Sequence, residues 1–176
     1  MIKHCGTIDL YTERLYLRRF RMEDAEDIFG GWTSDEKVAK YTSWSTHSCV
    51  EDTRGFISYI LSKNPSNSYD WIIECDGKII GTISVCYNND TIGVAGVAYC
   101  FAYNSWGKGY ATEAVEAFLP VMAKKVGTEE VYGIRLVENV ASGRVLEKCG
   151  FEEFFVGEDK YHDGIYRISK SVWKFV

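Results

Sequence analysis

The chain has 176 residues, of which 20 are basic and 25 acidic, so its formal net charge is −5. A chain of this length is most simply a single domain over residues 1–176, which buries about 70% of the surface that the unfolded chain exposes. The acidic balance argues against a dedicated nucleic-acid surface and favours the approach of a cationic substrate.

The termini and the cysteines exclude several further classes. No basic leader followed by an apolar segment opens the chain, and no apolar run is long enough to cross a bilayer, so we expect a cytoplasmic protein without membrane contact. Six cysteines form no C-x-x-C pair and only three histidines are present, which predicts neither a metal site nor a disulfide framework. Four cysteines are interpreted as small buried residues rather than catalytic thiols, namely Cys75, Cys86, Cys100 and Cys149.

The first half of the chain reads as a strand, two helices and a hairpin. Alternating residues over 15–18 predict a strand, and apolar spacing predicts helices over 23–32 and 50–63, followed by a loop at 64–68. Two strand patterns come next, at 69–75 and 78–87. They are joined across Asp76-Gly77, which is typical of a tight hairpin.

The second half predicts a parallel crossover. After a polar turn at 88–90, a longer strand is expected from residue 91 to about residue 103, then a helix over 108–125 and a strand over 131–137. Pro120 lies inside that helix. It removes a hydrogen bond at a cost of about 3 kcal/mol unless the helix bends or ends early.

The most informative segment is the glycine-rich turn Trp106-Gly107-Lys108-Gly109 that opens the predicted helix. Glycines let the backbone approach a ligand closely, and the unpaired N–H groups of a helix N-terminus bind anions, so this turn predicts a pyrophosphate site. A Walker A loop needs Ser or Thr after Gly-Lys, where Gly109 stands. The dinucleotide fingerprint needs Gly or Ala where Thr112 stands.

A second informative segment is a short helix that begins after Asn139 and has capping residues at both ends. Asn139 is a good N-cap, Ser142 lies in the first turn, and Lys148 suits the negative C-terminal end of the helix. Gly150 followed by Phe151 predicts a left-handed cap with its apolar contact.

Together these two segments resemble the GNAT superfamily of acyl-CoA-dependent N-acetyltransferases, in the branch that includes the N-terminal acetyltransferases of ribosomal proteins. The superfamily's loop pattern falls on Trp106, Gly109 and Ala111, while residues 12–18 look like that branch's opening strand and residues 23–26 like its first helix. The resemblance implies an α/β (α+β) fold. It would be a single domain with a mixed, mostly antiparallel sheet of about seven strands, a parallel crossover at the cofactor site, and flanking helices.

The resemblance also implies a reaction, the direct transfer of an acetyl group from acetyl-CoA to a primary amine without a covalent intermediate or a metal. It implies main-chain contacts to the pantetheine arm from Tyr99, Cys100 and Phe101, with a side-chain amide from Asn139. Ser142 would lie near the CoA sulfur as the catalytic residue, and Arg144 could contact phosphate. The pyrophosphate would be held by the amides of the turn, Gly107, Lys108, Gly109, Tyr110, Ala111 and Thr112.

Two positions depart from the family pattern and leave the general base open. Leu146 replaces the tyrosine that acts as general acid in many members, and Gly96 replaces a glutamate that is common in this branch. Glu74 and Tyr99 are candidate replacements by their position on central strands. A non-catalytic acyl-CoA-binding module that kept the cofactor cradle is therefore the rival hypothesis.

The acceptor is an amine whose identity the sequence leaves open between peptide N-termini, small polyamines and amine antibiotics. Trp32, Tyr41 and Trp44 cluster in the region that shapes the acceptor cleft in this branch, where they line a pocket or simply cover the sheet. We expect a monomer or a homodimer.

Overall fold

The computed structural model describes residues 3–63, 68–87, 94–156 and 164–169. Its strands are β1 (Leu10–Tyr11), β2 (Leu15–Arg18), β3 (Ser68–Cys75), β4 (Lys78–Tyr87), β5 (Val94–Phe101), β6 (Glu130–Arg135), β7 (Glu152–Val156) and β8 (Gly164–Ser169). Its α-helices are α1 (Ala25–Ile28), α2 (Glu36–Ala39), α3 (Val50–Ser62), α4 (Tyr110–Pro120) and α5 (Val140–Lys148). Short 3₁₀ or π-helical turns adjoin them at Met22–Asp24, Phe29–Thr33, Tyr103–Ser105 and Val121–Val126.

The strands form one mixed sheet in the order β1-β2-β3-β4-β5-β6-β8-β7 over the described residues. Only β5 and β6 are parallel, and the other neighbours are antiparallel. The predicted fold class and the parallel crossover are confirmed, because α4 connects β5 to β6 across one face of the sheet. The sequence patterns did not locate β1, β7, β8 or α2.

The predicted hairpin between β3 and β4 is confirmed. Asp76 and Gly77 both have positive φ, at 50° and 72°, which is the geometry of a type I′ turn. Ser68, expected in the preceding loop, already belongs to β3. The remainder of that loop and the polar turn expected at 88–90 lie outside the described residues.

Apolar side chains fill both faces of the sheet. Trp71 and Phe118 belong to a cluster between the sheet and α4, whereas Ile72, the next residue along β3, packs with Trp32 and Ile57 against the first helices. Trp32 is only 1% exposed, so it covers the sheet rather than lining a pocket. Burying each such side chain stabilises the fold by roughly 1.5–3 kcal/mol.

A buried ionic network ties β2 to β3 and to the first helical turn. The guanidinium of Arg18 binds both carboxylate oxygens of Asp24, at 2.7 and 2.9 Å, and donates from Nε to Glu74 at 2.5 Å. The bonds with Asp24, and next those with Glu74, raise the pKa of Arg18 although its burial opposes this. Glu74 is thus already bound to a buried cation and lies outside the cavity described below.

Several helix and strand ends differ from the sequence expectation: β6 ends at Arg135 rather than at residue 137, and α4 begins at Tyr110 rather than at residue 108. Two further ends differ for local reasons. The α-helical part of α4 ends at Pro120, as expected of an interior proline, and the chain continues as a π-helical turn closed by the Gly127 N–H on the Met122 carbonyl at 2.9 Å. Strand β5 ends at Phe101 rather than near residue 103. Ala102 begins a tight turn in which its carbonyl accepts the Ser105 N–H at 2.8 Å.

Four cysteines were predicted to be buried. The prediction is wrong for Cys86, and Cys75 and Cys100 are only partly buried. Cys149 is buried, Cys75 and Cys100 are partly exposed, and Cys86 is exposed. Cys86 lies opposite Gly96 on the neighbouring strand, and a glycine has no side chain to cover it. All six cysteines are free thiols.

Candidate functional site

The central strands separate and open a cavity. Strands β5 and β6 pair only from Val94 with Glu130 to Val97 with Gly133, so the last half of β5 has no partner on that side within the described ladder. A cavity of about 320 Å³ lies there, between the end of β5, the start of α4, the start of α5 and residues 38–42. It is lined by all the predicted site residues except one, namely Tyr99, Cys100, Phe101, Gly107, Gly109, Tyr110, Ala111, Thr112, Asn139, Ser142 and Arg144.

The glycine turn forms one end of this cavity. Gly107 and Gly109 have φ values of 75° and 83°, a left-handed conformation that residues with a Cβ rarely adopt. Helix α4 begins at Tyr110, and its first backbone bond runs from the Glu113 N–H to the Gly109 carbonyl at 3.1 Å. The N–H groups of residues 110–112 therefore have no partner inside the helix. They form an anion-binding end, assisted by the helix dipole.

Arg14 and Glu113 hold the glycine turn in place. Arg14 donates from Nη1 to the Lys108 carbonyl at 3.0 Å and from Nε to Glu113 at 2.7 Å, and its guanidinium lies 4.7 Å from the ring centre of Tyr110. Thr12 donates its hydroxyl to the same carboxylate at 2.5 Å. We call Thr12, Arg14 and Glu113 the turn brace. Lys108 is the one predicted site residue that does not line the cavity, and its carbonyl accepts the hydrogen bond from Arg14.

The brace sets the charge state of Glu113. Burial alone would raise the pKa of Glu113, but hydrogen bonds from Thr12 and from the Arg14 backbone and side chain together lower it. The bond to Glu113 likewise raises the pKa of Arg14. Sequence reasoning missed this function of Arg14 and Glu113, because they are 99 positions apart and no local pattern joins them.

The start of α5 forms the opposite wall and has the predicted caps. The Asn139 side-chain oxygen accepts the Ser142 N–H at 3.1 Å, so the N-cap is confirmed. At the other end Gly150 has a φ of 86° and the Phe151 N–H bonds to the Leu146 carbonyl at 3.0 Å, which confirms the left-handed cap. The Asn139 amide group lies at the cavity and can still donate to a ligand.

Tyr99 reaches across the cavity from β5 to the first turn of α5. Its hydroxyl oxygen lies 2.9 Å from the Ser142 hydroxyl and 3.0 Å from the Ser142 carbonyl. Because a carbonyl only accepts, both contacts are satisfied when Tyr99 donates to the carbonyl and Ser142 donates to Tyr99. The two hydroxyls therefore form a pair at the end of the cavity where the strands separate.

Trp106 and Tyr41 contribute aromatic side chains to the cavity lining. Trp106 donates its indole N–H to the Phe101 carbonyl at 2.8 Å, so this carbonyl, expected to face the pantetheine arm, already has a partner. The ring of Trp106 lies 6.0 Å from that of Tyr41, which also lines the cavity. Trp44 instead packs against the core beneath the first helices.

The two departures from the family pattern have different surroundings. Leu146 is 1% exposed, and a Cβ added to Gly133 would lie 2.7 Å from its methyl groups, so Leu146 belongs to the packed core as expected. Gly96 is exposed, and a Cβ added there would meet only the Cys86 carbonyl, at 4.0 Å. Position 96 therefore has room for a larger side chain.

Cys100 contributes an inert thiol to the cavity wall. Burial raises its pKa to about 12, so the thiol stays protonated at neutral pH.

The part of the chain that the structure describes contains no group of three or more metal-ligating side chains. None of its helices has the length and apolar character needed to cross a membrane.

Lys148 is a further functional candidate that sequence reasoning treated only as a helix-end residue. It lines the cavity beyond Arg144 on α5 and is exposed there. Two cations on one helix face beside the glycine turn can neutralise phosphate groups. Their spacing of four residues, one helical turn, is the signal that could have found the pair.

The chain is similar to known acetyltransferases over most of its length. Residues 14–152 match the family model of the acetyltransferase (GNAT) domain. The uncharacterised N-acetyltransferase p20 of Bacillus licheniformis is 31% identical over 147 residues, 82% of each chain. A GNAT-family acetyltransferase structure from Bacillus anthracis superposes with a TM-score of 0.79 at 25% identity, covering 93% of this chain and 99% of that one.

The fold is also shared with a more distant enzyme of the branch named above. RimL, a ribosomal L7/L12 alpha-N-protein acetyltransferase solved in complex with coenzyme A, superposes with a TM-score of 0.79 at 18% identity over 90% of this chain and 95% of its own. The predicted resemblance to the GNAT superfamily is confirmed by the family model and by the relative from Bacillus licheniformis. The chain therefore belongs to the GNAT acetyltransferase family.

Proposed function

We propose that this protein transfers an acetyl group from acetyl-CoA to a primary amine, with both substrates bound at once. The observation that carries the proposal is the cavity between β5 and α5, which joins an anion-binding turn at one end to a pair of hydroxyls at the other. A pantetheine arm connects a pyrophosphate to a thioester in the same way. RimL, which has this fold, was solved with coenzyme A.

In this proposal the donor lies along the cavity with its pyrophosphate on the N–H groups of residues 110–112. Arg144 and Lys148, both exposed on α5, add charge for the phosphates. The Asn139 amide and the backbone of β5 contact the pantetheine arm. The Phe101 carbonyl accepts the Trp106 indole N–H and keeps a second lone pair for a donor on the arm.

The transfer step needs a neutral amine and a stabilised leaving group. The amine nitrogen attacks the thioester carbonyl, the carbon–sulfur bond then breaks, and the thiolate accepts a hydrogen bond from Ser142. No carboxylate stands at Gly96 to take the amine proton, so water accepts it. An α-amine, with a pKa of about 7.7 to 8.0, is neutral more often at pH 7 than a lysine amine at about 10.4.

These pKa values favour peptide N-termini and weakly basic small amines as acceptors. The acceptor would enter beside Val38, Tyr41 and Thr42, which line the cavity from the first helices. The net charge of −5 favours cationic molecules near the protein. The cytoplasmic location and the monomeric or homodimeric state expected from the sequence stay predictions.

A panel of amines and N-terminal peptides, assayed for CoA release from acetyl-CoA, tests the proposal. We expect turnover with at least one α-amine and intersecting initial-velocity lines, as direct transfer requires; parallel lines would indicate a covalent intermediate. Acetyl-CoA binding by calorimetry without turnover of any amine would instead support the non-catalytic module. The exposed Gly96 and the buried Leu146 are the observations in favour of that alternative.

A further inference from the structure

The hydroxyl pair suggests where the leaving thiolate obtains its proton. The tyrosine that acts as general acid in many relatives is absent, because Leu146 occupies its position and is buried in the core. Tyr99 brings a phenol to the same helix from the neighbouring strand, 2.9 Å from the Ser142 hydroxyl. We propose that Tyr99 supplies the proton that Ser142 passes to the departing CoA sulfur. This inference rests on the proposed acetyl transfer.

Acidity explains why Ser142 needs a partner. A thiol has a pKa of about 8.5 and a phenol about 10, whereas water, the model for an aliphatic hydroxyl, has about 15.7. A serine that gave its proton to a thiolate and stayed an alkoxide would work against about seven pKa units. A phenol behind the serine reduces the difference to about 1.5 units, and the serine then only relays the proton.

The geometry allows the relay without movement of any heavy atom. The Tyr99 oxygen is almost equally far from the Ser142 carbonyl, at 3.0 Å, and from the Ser142 hydroxyl oxygen, at 2.9 Å. Rotation about the Tyr99 C–O bond moves its proton from the first acceptor to the second. The Ser142 proton is then free to turn toward the cavity, which both residues line.

The proton and electron balance of the step is complete. The carbon–sulfur bond breaks with its electron pair on sulfur, sulfur takes the Ser142 proton, and Ser142 takes the Tyr99 proton. The phenolate left on Tyr99 recovers a proton from water, which has received the one lost by the amine. The net change is one amine proton transferred to the CoA thiol.

Other titratable groups at the cavity are worse placed for this function. Among the residues that the structure describes, they are Tyr41, Cys100, Tyr110, Arg144 and Lys148. The Tyr110 hydroxyl bonds to the Cys75 thiol at 3.5 Å, and burial raises the pKa of Cys100 to about 12. Within the described part of the chain, no phenol other than that of Tyr99 lies within hydrogen-bonding distance of Ser142.

The first test compares Tyr99→Phe, Ser142→Ala and the double variant. General acids contribute about 10²- to 10⁴-fold, so each single variant should lower kcat about 100-fold while KM for acetyl-CoA changes less than about twofold. Because the two hydroxyls act as a unit, the double variant should be no worse than either single one. Tyr16→Phe is the matched control, since the Tyr16 hydroxyl bonds to Asp9 and lies outside the cavity.

The second test is the alkaline side of the pH profile, measured with an α-amine peptide that is already neutral above about pH 9. We expect kcat of the unmodified protein to fall on the alkaline side as the Tyr99 phenol ionises, and the residual rate of Tyr99→Phe to lack this fall. A merely structural tyrosine would leave the shape of the profile unchanged. The unmodified protein alone gives the first half of this result, so the test does not depend on the stability of a variant.

The outcomes separate this inference from the function on which it rests. Normal kcat in Tyr99→Phe, multiplicative losses in the double variant, or an alkaline fall that persists in Tyr99→Phe would each overturn the relay while leaving acetyl transfer standing. Failure of the unmodified protein to release CoA with any amine would overturn acetyl transfer itself. Impaired single variants with no further loss in the double variant support the relay.

Discussion

Single residues define the two ends of the cavity. Gly109 is the N-cap of α4 in a left-handed conformation, and Ser142 lies in the first turn of α5. In the proposed transfer, the backbone conformation matters at Gly109 and the hydroxyl at Ser142. Replacing Gly109 is therefore expected to change donor affinity, and replacing Ser142 to change turnover.

Gly109→Val should abolish acetyl-CoA binding. A β-branched residue at a φ of 83° costs about 1–3 kcal/mol of strain, and its Cβ would lie 3.4 Å from the Arg14 guanidinium that braces the turn. Isothermal titration calorimetry measures the change. Gly55→Val is the control, because Gly55 lies in α3 with a negative φ and no atom within 4 Å of an added Cβ. Unchanged affinity in folded Gly109→Val would place the donor elsewhere.

At the scale of secondary-structure elements, side-chain hydrogen bonds connect the elements that form the cavity. The turn brace connects the chain before β2 to the start of α4, and the pair Tyr99–Ser142 connects β5 to α5. The first link holds the glycine turn that lines the cavity, and the second joins two residues of the cavity lining. The cavity therefore depends on contacts between elements rather than on either helix alone.

The turn brace should weaken in acid. The folded-state pKa of Glu113 is lowered from its ordinary 4.5, so its contribution is present above about pH 4.5 and is lost as the pH falls through the lower folded value. Glu113→Gln should lower Tm by about 3 °C at pH 7, for a brace worth about 1 kcal/mol, and by much less at pH 3. Glu116→Gln, on the same helix, is the control. Equal losses at both pH values would contradict the assignment.

Strand β5 has a glycine at position 96, where the resemblance described above implies a carboxylate proton acceptor. With a strongly basic amine, kcat/KM should therefore rise from pH 7 to about pH 9.5 in step with the neutral fraction of the substrate. Gly96→Glu should raise the rate near pH 7, because a Cβ there has no neighbour closer than 4.0 Å. Gly96→Gln controls for size. A profile that is flat from neutrality upward would show that another base already acts.

At the scale of the whole molecule, the sheet with its two apolar faces is expected to unfold as a unit. The single domain over residues 1–176 stays a prediction, and differential scanning calorimetry tests it. We expect one transition whose calorimetric and van't Hoff enthalpies agree. Two separable transitions, or a protease-resistant fragment smaller than the chain, would divide it into more than one domain.

The sequence predicted most elements whose cause is local. The Asp76-Gly77 hairpin and the Asn139 and Gly150 caps were all found, because turn and cap preferences depend on a few adjacent residues. Cys86 was misassigned, since its exposure depends on Gly96 across the neighbouring strand. Strand β8 was not located. In the sheet it lies between β6 and β7, although it follows β7 in the sequence, and no local pattern shows that order.

The same division holds for the site. By itself the sequence determined the family, the glycine turn and the positions of Asn139 and Ser142, because these depend on short motifs. Only the tertiary structure decided that Arg14 and Glu113 brace the turn, that Glu74 is bound to Arg18, and that Tyr99 meets Ser142. Those contacts join residues 43 to 99 positions apart, and side chains so distant in sequence are brought together only by the packing of the sheet and its helices.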